Sequence, residues 1–384
     1  MERPHRQWRE PRDLAQQLYE RARRAALKPR GRPLPHDVTE ALQAHGMAGL
    51  LIDPERTLRA CGRSASGEPD RSRRGTAFHH THLDEACFCS IATSLAEGVG
   101  VRSTARIFGV DKKTVLHVLA RAAEHVERII RALLRDVTVH ECQLDEMWSF
   151  VGKKEAHLDP LEHLAGVFGD AWIWTAFDAE HKVVLAHVVG KRTTPHAVKL
   201  LQQVKDVTAV MPSLFSSDQL DQYREALLQV YGMLVAPPRR PGPGRPPKAR
   251  LSPPIELCYV QVVKQYERYR VSKISQRIVF GDPQHIEQLL EQSSSSHTIN
   301  TSYVERQNGT MRHLDARCNR KTYRFSKRMV NHQRQLVLSL GYYHLCRAHR
   351  TLTKRCRRPT TPFMSAGLAD HVWTMRELLE FRVS

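Results

Sequence analysis

Three acidic residues in separate parts of the chain could together bind a divalent cation. Asp145 lies in LDEMWSF, Asp218 in SSDQL and Glu305 in YVERQNG. Carboxylates brought together repel one another unless a cation lies between them, and hard oxygen ligands without cysteine or histidine select Mg²⁺ or Mn²⁺. Two such ions about 4 Å apart can activate a water or a 3′-hydroxyl for phosphodiester chemistry. On spacing alone, Asp145 could instead be a strand-edge acid or an ion-pair partner of Lys153.

The apolar pattern predicts that a mixed α/β sheet positions these acids. It indicates a meander of three strands, then a helix, a fourth strand and another helix. These elements are predicted at 140–154, 172–180, 182–190, 194–207, 213–218 and 219–232, two more strands within 258–281, and helices after residue 300. Asp145 would lie on the first strand and Asp218 at the carboxyl end of the fourth, where open α/β sheets form a crevice. Glu305 would lie on a helix that packs across the sheet.

A helix-turn-helix pattern precedes the sheet. Residues 84–130 read as a helix, a short helix, a tight turn at Gly109 and a longer helix. Its predicted core residues are Ile91, Leu95, Ala105, Ile107, Val110, Val115 and Leu119. A recognition helix would contact base edges and phosphates. The candidate DNA-contacting residues are Arg102, Lys112, Lys113, Thr114 and His117. A plain helical hairpin is the alternative.

The charge balance favours a polyanionic partner. The 384 residues include 59 Lys and Arg against 40 Asp and Glu, a formal net charge of +19. Double-stranded DNA is the leading candidate. A membrane surface is disfavoured because no apolar run approaches a spanning length and the N-terminus has no signal-peptide core. We therefore expect a cytoplasmic protein.

The cysteine pattern argues against a structural zinc module. The eight cysteines are scattered, without the spacing of a disulfide scaffold or a paired zinc site. The segment FHHTHLDEACFC does place His79, His80 and His82 before Cys87 and Cys89. The two cysteines fall on a predicted helix at a spacing that points them apart, which disfavours a shared metal.

Two basic segments flank or interrupt these elements. The pattern of residues 1–75 predicts two helices and a polar linker. This region would be either a small folded module or a loosely packed basic arm. Proline and glycine in the insertion at 237–254 exclude helix and strand. Its GPGRPPKAR resembles an AT-hook, in which Arg245 would lie in a narrow A·T minor groove. A solvated basic linker is the alternative.

Three blocks of the sequence resemble the catalytic blocks of the insertion sequence 1 type of DDE transposase, within the retroviral-integrase superfamily. The blocks are LDEMWSFVGKK, SSDQLDQYREAL and INTSYVERQNGTMRHLDARCNRKTYRFSK, and the resemblance spans roughly 78–375. It implies a ribonuclease H-like fold in which Asp145, Asp218 and Glu305 are catalytic and bind Mg²⁺, with Mn²⁺ as a substitute. Glu146 and Trp148 would shape the site. The DNA-side residues would be Lys153, Lys154, Arg306, Asn308 and, seven positions after Glu305 on the same helical face, Arg312.

These observations predict a bacterial or archaeal DNA transposase, associated with the nucleoid. It would bind terminal inverted repeats, cleave each end and join the 3′-hydroxyl to target DNA. Because two ends must be paired, we expect a homodimer or larger assembly. The predicted regions are a basic region at 1–75, a helix-turn-helix domain at 78–135, a ribonuclease H-like catalytic domain at 138–350 with the insertion at 237–254, and a tail with a short helix at 351–384. A DNA-binding regulator without catalysis and a ribonuclease H-like nuclease are the alternatives.

Overall fold

The computed structural model of the protein describes residues 73–236, 248–268 and 270–383. The two helices predicted before residue 72 and the AT-hook arginine, Arg245, lie outside the described residues. Among those that are described, no helix is long and apolar enough to cross a membrane.

Six strands form one mixed sheet, and two more form a short ribbon beside the insertion. The strands are β1 (Glu141–Val151), β2 (Gly169–Asp178), β3 (Val183–Gly190), β4 (Leu214–Asp218), β5 (Met233–Val235), β6 (Arg250–Ser252), β7 (Tyr259–Glu267) and β8 (Arg270–Phe280). The order in the large sheet is β3-β2-β1-β4-β7-β8, while β5 pairs with β6. The pairs of β1 with β4 and of β4 with β7 are parallel, and the other pairs are antiparallel. The sheet has the predicted meander followed by parallel strands.

Helices precede the sheet, connect its strands and follow it. They are α1 (Glu85–Ala96), α2 (Val101–Ile107), α3 (Lys112–Leu133), α4 (Pro160–Ala165), α5 (Thr194–Val207), α6 (Asp221–Tyr231), α7 (Pro283–Gln292), α8 (Ser302–Leu314), α9 (Met329–Gly341), α10 (Arg350–Cys356), α11 (Pro362–Ser365) and α12 (Met375–Glu380). A π-helical turn at Tyr342–Cys346 extends α9.

The two faces of the sheet bury different helices, because successive side chains of a strand point to opposite faces. On one face, Leu144 and Trp174 share a buried cluster with residues of α5 and α6 such as Leu200 and Tyr223. On the other face, the cluster joins sheet residues to α8 and α9 and comprises Met147, Ile173, Phe177, Val184, Val304, Met311, Cys318, Leu336 and Leu340. The fold is therefore a mixed α/β sheet between two helical layers, of the ribonuclease H-like class that the resemblance implies.

Helices α1, α2 and α3 lie where the helix-turn-helix pattern places them, with Gly109 at φ +63° in the turn before α3. One predicted core residue is wrong: Ile107 is 62% exposed. On the short α2, Thr104 takes the buried position and donates to the Gly100 carbonyl. Helical spacing then places Phe108 inward and Ile107 outward.

Three sequence expectations about the sheet need correction. β1 is not at a sheet edge, since β2 and β4 flank it. Strand was excluded from the whole 237–254 insertion, yet its residues Arg250–Ser252 form β6 and pair with β5. Helix α7 was not predicted, although Asp282 accepts from the His285 backbone N–H and Pro283 follows at the first helical position. These are ordinary helix-start residues.

Candidate active site

Parallel pairing brings Asp145 and Asp218 side by side. Leu144 on β1 pairs with Ser217 on β4, and the two aspartates follow one residue later on each strand. Both therefore point to the sheet face that α8 and α9 cover.

Glu305 reaches the same face because β1 holds the beginning of α8. Gln143, two residues before Asp145 on the same face, accepts a hydrogen bond from the Val304 backbone N–H at 3.0 Å. Its amide group donates to the Asn300 carbonyl at 2.9 Å. Val304 is fully buried in the cluster with Met147. Glu305, the next residue on α8, is thereby directed along the edge of the sheet, toward Asp218.

The carboxylates of Asp218 and Glu305 share two neighbours. Lys264 on β7 places its ammonium Nζ 2.5 Å from Glu305 Oε1 and 3.4 Å from each oxygen of Asp218. The Thr301 hydroxyl lies 3.1 Å from Asp218 Oδ1 and 2.9 Å from Glu305 Oε1. Burial lowers the pKa of Lys264, but its contacts with the Glu305 and Asp218 carboxylates outweigh burial and the net pKa is raised.

Asp145 lies deeper than the other two acids. The Asn308 side-chain amide donates to its Oδ2 at 2.7 Å. The pKa of Asp145 is raised to about 7, first by burial and then by the negative charges of Glu146 and Asp218. Glu305 adds to the same shift. The three predicted acids are therefore within electrostatic reach of one another.

The residues implied to shape the site lie on the opposite face of β1. Glu146 pairs with Arg192 and accepts from the Tyr223 hydroxyl at 3.1 Å. The half-buried Trp148 stacks on Phe150, with ring centroids 5.6 Å apart. These two residues support β1 from behind and are not beside the Asp145 carboxylate.

The two lysines after β1 make different contacts. Lys153 pairs with Glu162 at 2.5 Å, so the alternative that it is the partner of Asp145 is wrong. Lys154 Nζ lies 5.5 Å from the Trp148 ring centroid and 5.8 Å from that of Phe150. An ammonium over aromatic faces is held in a defined position.

The predicted DNA-side residues of α8 divide between two environments. Asn308 is buried against Asp145, whereas Arg306 is exposed and acts on the pKa of His349. Arg312 is half-buried, and its pKa is lowered by burial and by Arg320 while Asp145 raises it. Its Nε atom has no hydrogen-bond partner among the described groups.

At the beginning of α3, the predicted DNA-contacting residues lie at the surface. Lys112, Lys113 and His117 are exposed and Thr114 is half-buried. The Asp111 side chain accepts from the Lys113 backbone N–H at 2.7 Å, so the lysine side chains themselves are left for other contacts. Arg102 on α2 is exposed as well.

The donor chemistry of the site suits a hard divalent cation. Asp145, Asp218 and Glu305 supply carboxylate oxygens, and the buried Asn308 Oδ1 has no hydrogen-bond partner among the described groups. Within the described ranges, however, no group of three acidic, histidine or cysteine side chains is already gathered at metal-ligand spacing. Lys264 supplies the positive charge between two of the acids in this arrangement.

Sequence reasoning missed Lys264, Thr301 and Gln143. Gln143 had a detectable signal, because it lies two residues before Asp145 and strand alternation puts both on one face. Thr301 lies four residues before Glu305, a spacing that brings side chains together at the start of a helix. Lys264 had no local signal, since it reaches the acids only through the pairing of β4 with β7.

One family model matches part of this chain. No curated protein sequence matches this chain. Among solved structures, the Mos1 transposase paired-end complex with left transposon end is 13% identical, covering 57% of this chain and 74% of that chain at a TM-score of 0.16. The Mos1 strand transfer complex is 13% identical, covering 56% and 72% at a TM-score of 0.16. TM-scores this low do not support a common fold. The fold described above follows from the strand order and the helices of this chain. Residues 139–232 match the family model described as IS1 transposase, which confirms the resemblance of this chain to the insertion sequence 1 type of DDE transposase.

Proposed function

We propose that this protein is a DNA transposase that cleaves the ends of its element and transfers each 3′-hydroxyl to target DNA. The observation that carries the proposal is the convergence of Asp145, Asp218 and Glu305 on one face of the sheet. The family match over residues 139–232 includes the first two acids, and Glu305 lies beyond it on α8.

A divalent cation is the cofactor that this proposal requires. Mg²⁺, or Mn²⁺ in its place, would be held by the carboxylates of Asp145, Asp218 and Glu305. When bound, it supplies Lewis-acid polarisation of the phosphodiester and a lower pKa for a bound water. A cation between the carboxylates would offset the burial and the neighbouring negative charges that raise the pKa of Asp145.

The chain's own residues would hold the reacting groups in place. Asn308 fixes the Asp145 carboxylate through its amide hydrogen bond, and Gln143 fixes the start of the helix that carries Glu305. The carboxylates bind cations and orient them, and none acts as a nucleophile. Hydrolysis and strand transfer are both in-line displacements at phosphorus, so one site serves both steps.

DNA would be bound by surfaces on both sides of the acids. The exposed residues at the start of α3, namely Lys112, Lys113 and His117, suit contacts to the terminal repeat. Arg312 suits the DNA backbone near the acids, and Lys154, over the Trp148 ring, suits DNA on the other side of β1. Two element ends must be cut together, so we propose that a homodimer or larger assembly acts on them.

A cleavage assay tests the proposed function directly. The substrate is a labelled duplex carrying the element's own terminal repeat and flanking DNA, incubated with Mg²⁺ or Mn²⁺. We expect wild-type protein to nick at the repeat end, and Asp145→Asn and Glu305→Gln each to lower the rate on the order of 100-fold or more. Binding of the duplex, measured by fluorescence anisotropy, should be retained by both variants.

Glu287→Gln is the matched control, because Glu287 is an exposed acid on α7 outside the site. It should cut at the wild-type rate. Wild-type cutting that survives both acid substitutions would reject the site. Tight binding by wild-type protein without any cutting would instead indicate a DNA-binding regulator.

A further inference from the structure

The loop between α8 and α9 is a strongly basic surface, and no predicted site residue lies in it. Residues 319–328, with the sequence NRKTYRFSKR, are called here the basic loop. They carry no acid and five exposed positive side chains, namely Arg320, Lys321, Arg324, Lys327 and Arg328. Tyr323, at the middle of this run, is fully exposed. A ring exposed in this way is free to stack on a group outside the chain.

The basic loop is anchored near its C-terminal end. The buried Arg317 donates to the Ser326 hydroxyl at 2.9 Å. The Ser326 carbonyl accepts from the Gly152 backbone N–H at 2.8 Å, beside a bridge between Ser326 and Val151. Phe325 packs on Phe150, with ring centroids 4.8 Å apart. The exposed ring of Tyr323 therefore projects from a fixed base.

The basic loop also lies between the acids and the helices before the sheet. At its beginning, Arg320 and Asp145 both act on the pKa of Arg312, which burial lowers first. At its other end, burial and the charge of Arg102 lower the pKa of Lys327. These electrostatic effects place Arg320 within reach of Arg312 and Lys327 within reach of Arg102.

A direct hydrogen bond also joins the basic loop to the turn between α1 and α2. Arg324 Nη1 donates to the Gly98 carbonyl at 3.0 Å. A Cβ at Gly100 would meet Arg324 Cδ at 3.0 Å, so the two segments approach closely. The basic loop therefore packs against the turn that leads into α2, one of the predicted DNA-binding helices.

We propose that the basic loop binds the DNA strand between the helix-turn-helix contacts and the carboxylates, with Tyr323 stacked on an unpaired base where that strand leaves the duplex. Cations that follow a phosphate backbone around an exposed aromatic ring are typical of surfaces that bind single-stranded nucleic acid. The inference rests on the proposed function for the identity of the strand. Its binding test requires no cutting.

Fluorescence anisotropy with two probes tests this inference. One probe is a labelled duplex with an unpaired 3′ extension, and the other is the same duplex with blunt ends. We expect Tyr323→Ala to weaken binding of the extended duplex about 10-fold, from the stacking of one base, and to leave the blunt duplex unchanged. Tyr323→Phe should behave as wild type, because it keeps the ring. Arg320→Ala should weaken both probes and reduce the salt dependence of binding.

Val330→Ala is the matched control, since Val330 is an exposed apolar residue just after the basic loop and should change neither affinity. Thermal unfolding of Tyr323→Ala should equal that of wild type, because the ring is fully exposed. Equal affinities of Tyr323→Ala and wild type for the extended duplex, or equal losses on both probes, would overturn the inference. The tyrosine effect in a protein that does not cut would support the inference and reject only the transposase proposal.

Discussion

Lys264 balances the charge of two predicted catalytic acids. Its ammonium contacts Asp218 and Glu305 in the volume where a divalent cation bound by these acids would be expected. A cation that binds there must displace the ammonium or share the carboxylates with it. Lys264 should therefore set how tightly the site holds a metal ion.

Replacing Lys264 by methionine tests this competition. The side chain keeps its length and apolar stem but loses the charge. We expect Lys264→Met to bind Mn²⁺ about 10-fold more tightly than wild type, because like charges repel across a few ångströms of partly buried space. Titration calorimetry with MnCl₂ measures the affinity without any DNA or turnover.

Lys273→Met is the control for this variant. On β8, Lys273 neighbours Ile274, the pairing partner of Lys264, and so points to the opposite face of the sheet. Removing that charge should leave the Mn²⁺ affinity unchanged. An unchanged or weaker affinity in Lys264→Met would reject the competition.

At the scale of elements, local patterns in the sequence were sufficient for most of the sheet and its helices. The predicted helix at 194–207 has the bounds of α5, and the predicted strand at 213–218 contains β4. Local patterns could not supply the order of the strands across the sheet. β1 is interior because β4 pairs with its free side, a contact between residues about 70 positions apart that no short window contains. The contact of Lys264 with the acids has the same origin.

The packing of α3 against α9 supplies a prediction at this scale. A Cβ at Gly341, in the last turn of α9, would clash with Cγ1 of Val126 on α3. We expect Gly341→Ala to lower the free energy of unfolding by about 1–2 kcal/mol, because overpacking outweighs the better helix propensity of alanine. Denaturant unfolding measures this free energy. The double variant Gly341→Ala with Val126→Ala should be about 1 kcal/mol more stable than the sum of the two single losses predicts.

Gly309→Ala is the matched control for the glycine at α9. Gly309 lies within α8, and nothing stands within 4 Å of a Cβ added there. Its replacement should stabilise the protein by roughly 0.5–1 kcal/mol, because alanine lowers the conformational entropy of the unfolded chain. If Gly341→Ala is also stabilising, or if the double change is additive, the two helices are not in contact at these residues.

One hydrophobic core extends through most of the described chain. The largest buried cluster includes Val126 of α3, Leu144 of β1, Tyr223 of α6 and Leu378 of α12. Because the helices before the sheet share this core with the sheet and with the C-terminal helices, we expect cooperative unfolding. Agents that act on the core should then lower the stability of all of these parts together.

Three buried histidines connect this stability to pH. Burial lowers the pKa of His125 and His332 to about 4 and that of His344 to about 3. His344 Nε2 accepts from the Val184 backbone N–H at 3.0 Å, a role that requires a neutral ring. His332 Nε2 lies 2.8 Å from the Ser149 hydroxyl, in a fully buried position. The native structure therefore disfavours protons on these rings.

The buried histidines should lower the stability as the pH falls from 6.5 toward 4, while Asp145, whose pKa in the folded protein is raised to about 7, contributes in the opposite sense. An unfolded histidine binds a proton near pH 6.5 and the folded one does not until near pH 4, so acid favours unfolding by up to about 1.4 kcal/mol per histidine per pH unit. Urea midpoints between pH 7 and 5 measure the slope, which His332→Asn should reduce by about one histidine's share. His371→Asn is the control, because His371 is exposed and Asp370 raises its pKa, so its removal should not reduce the slope. A slope in His332→Asn equal to that of wild type would show that this buried ring takes up its proton without cost to the fold.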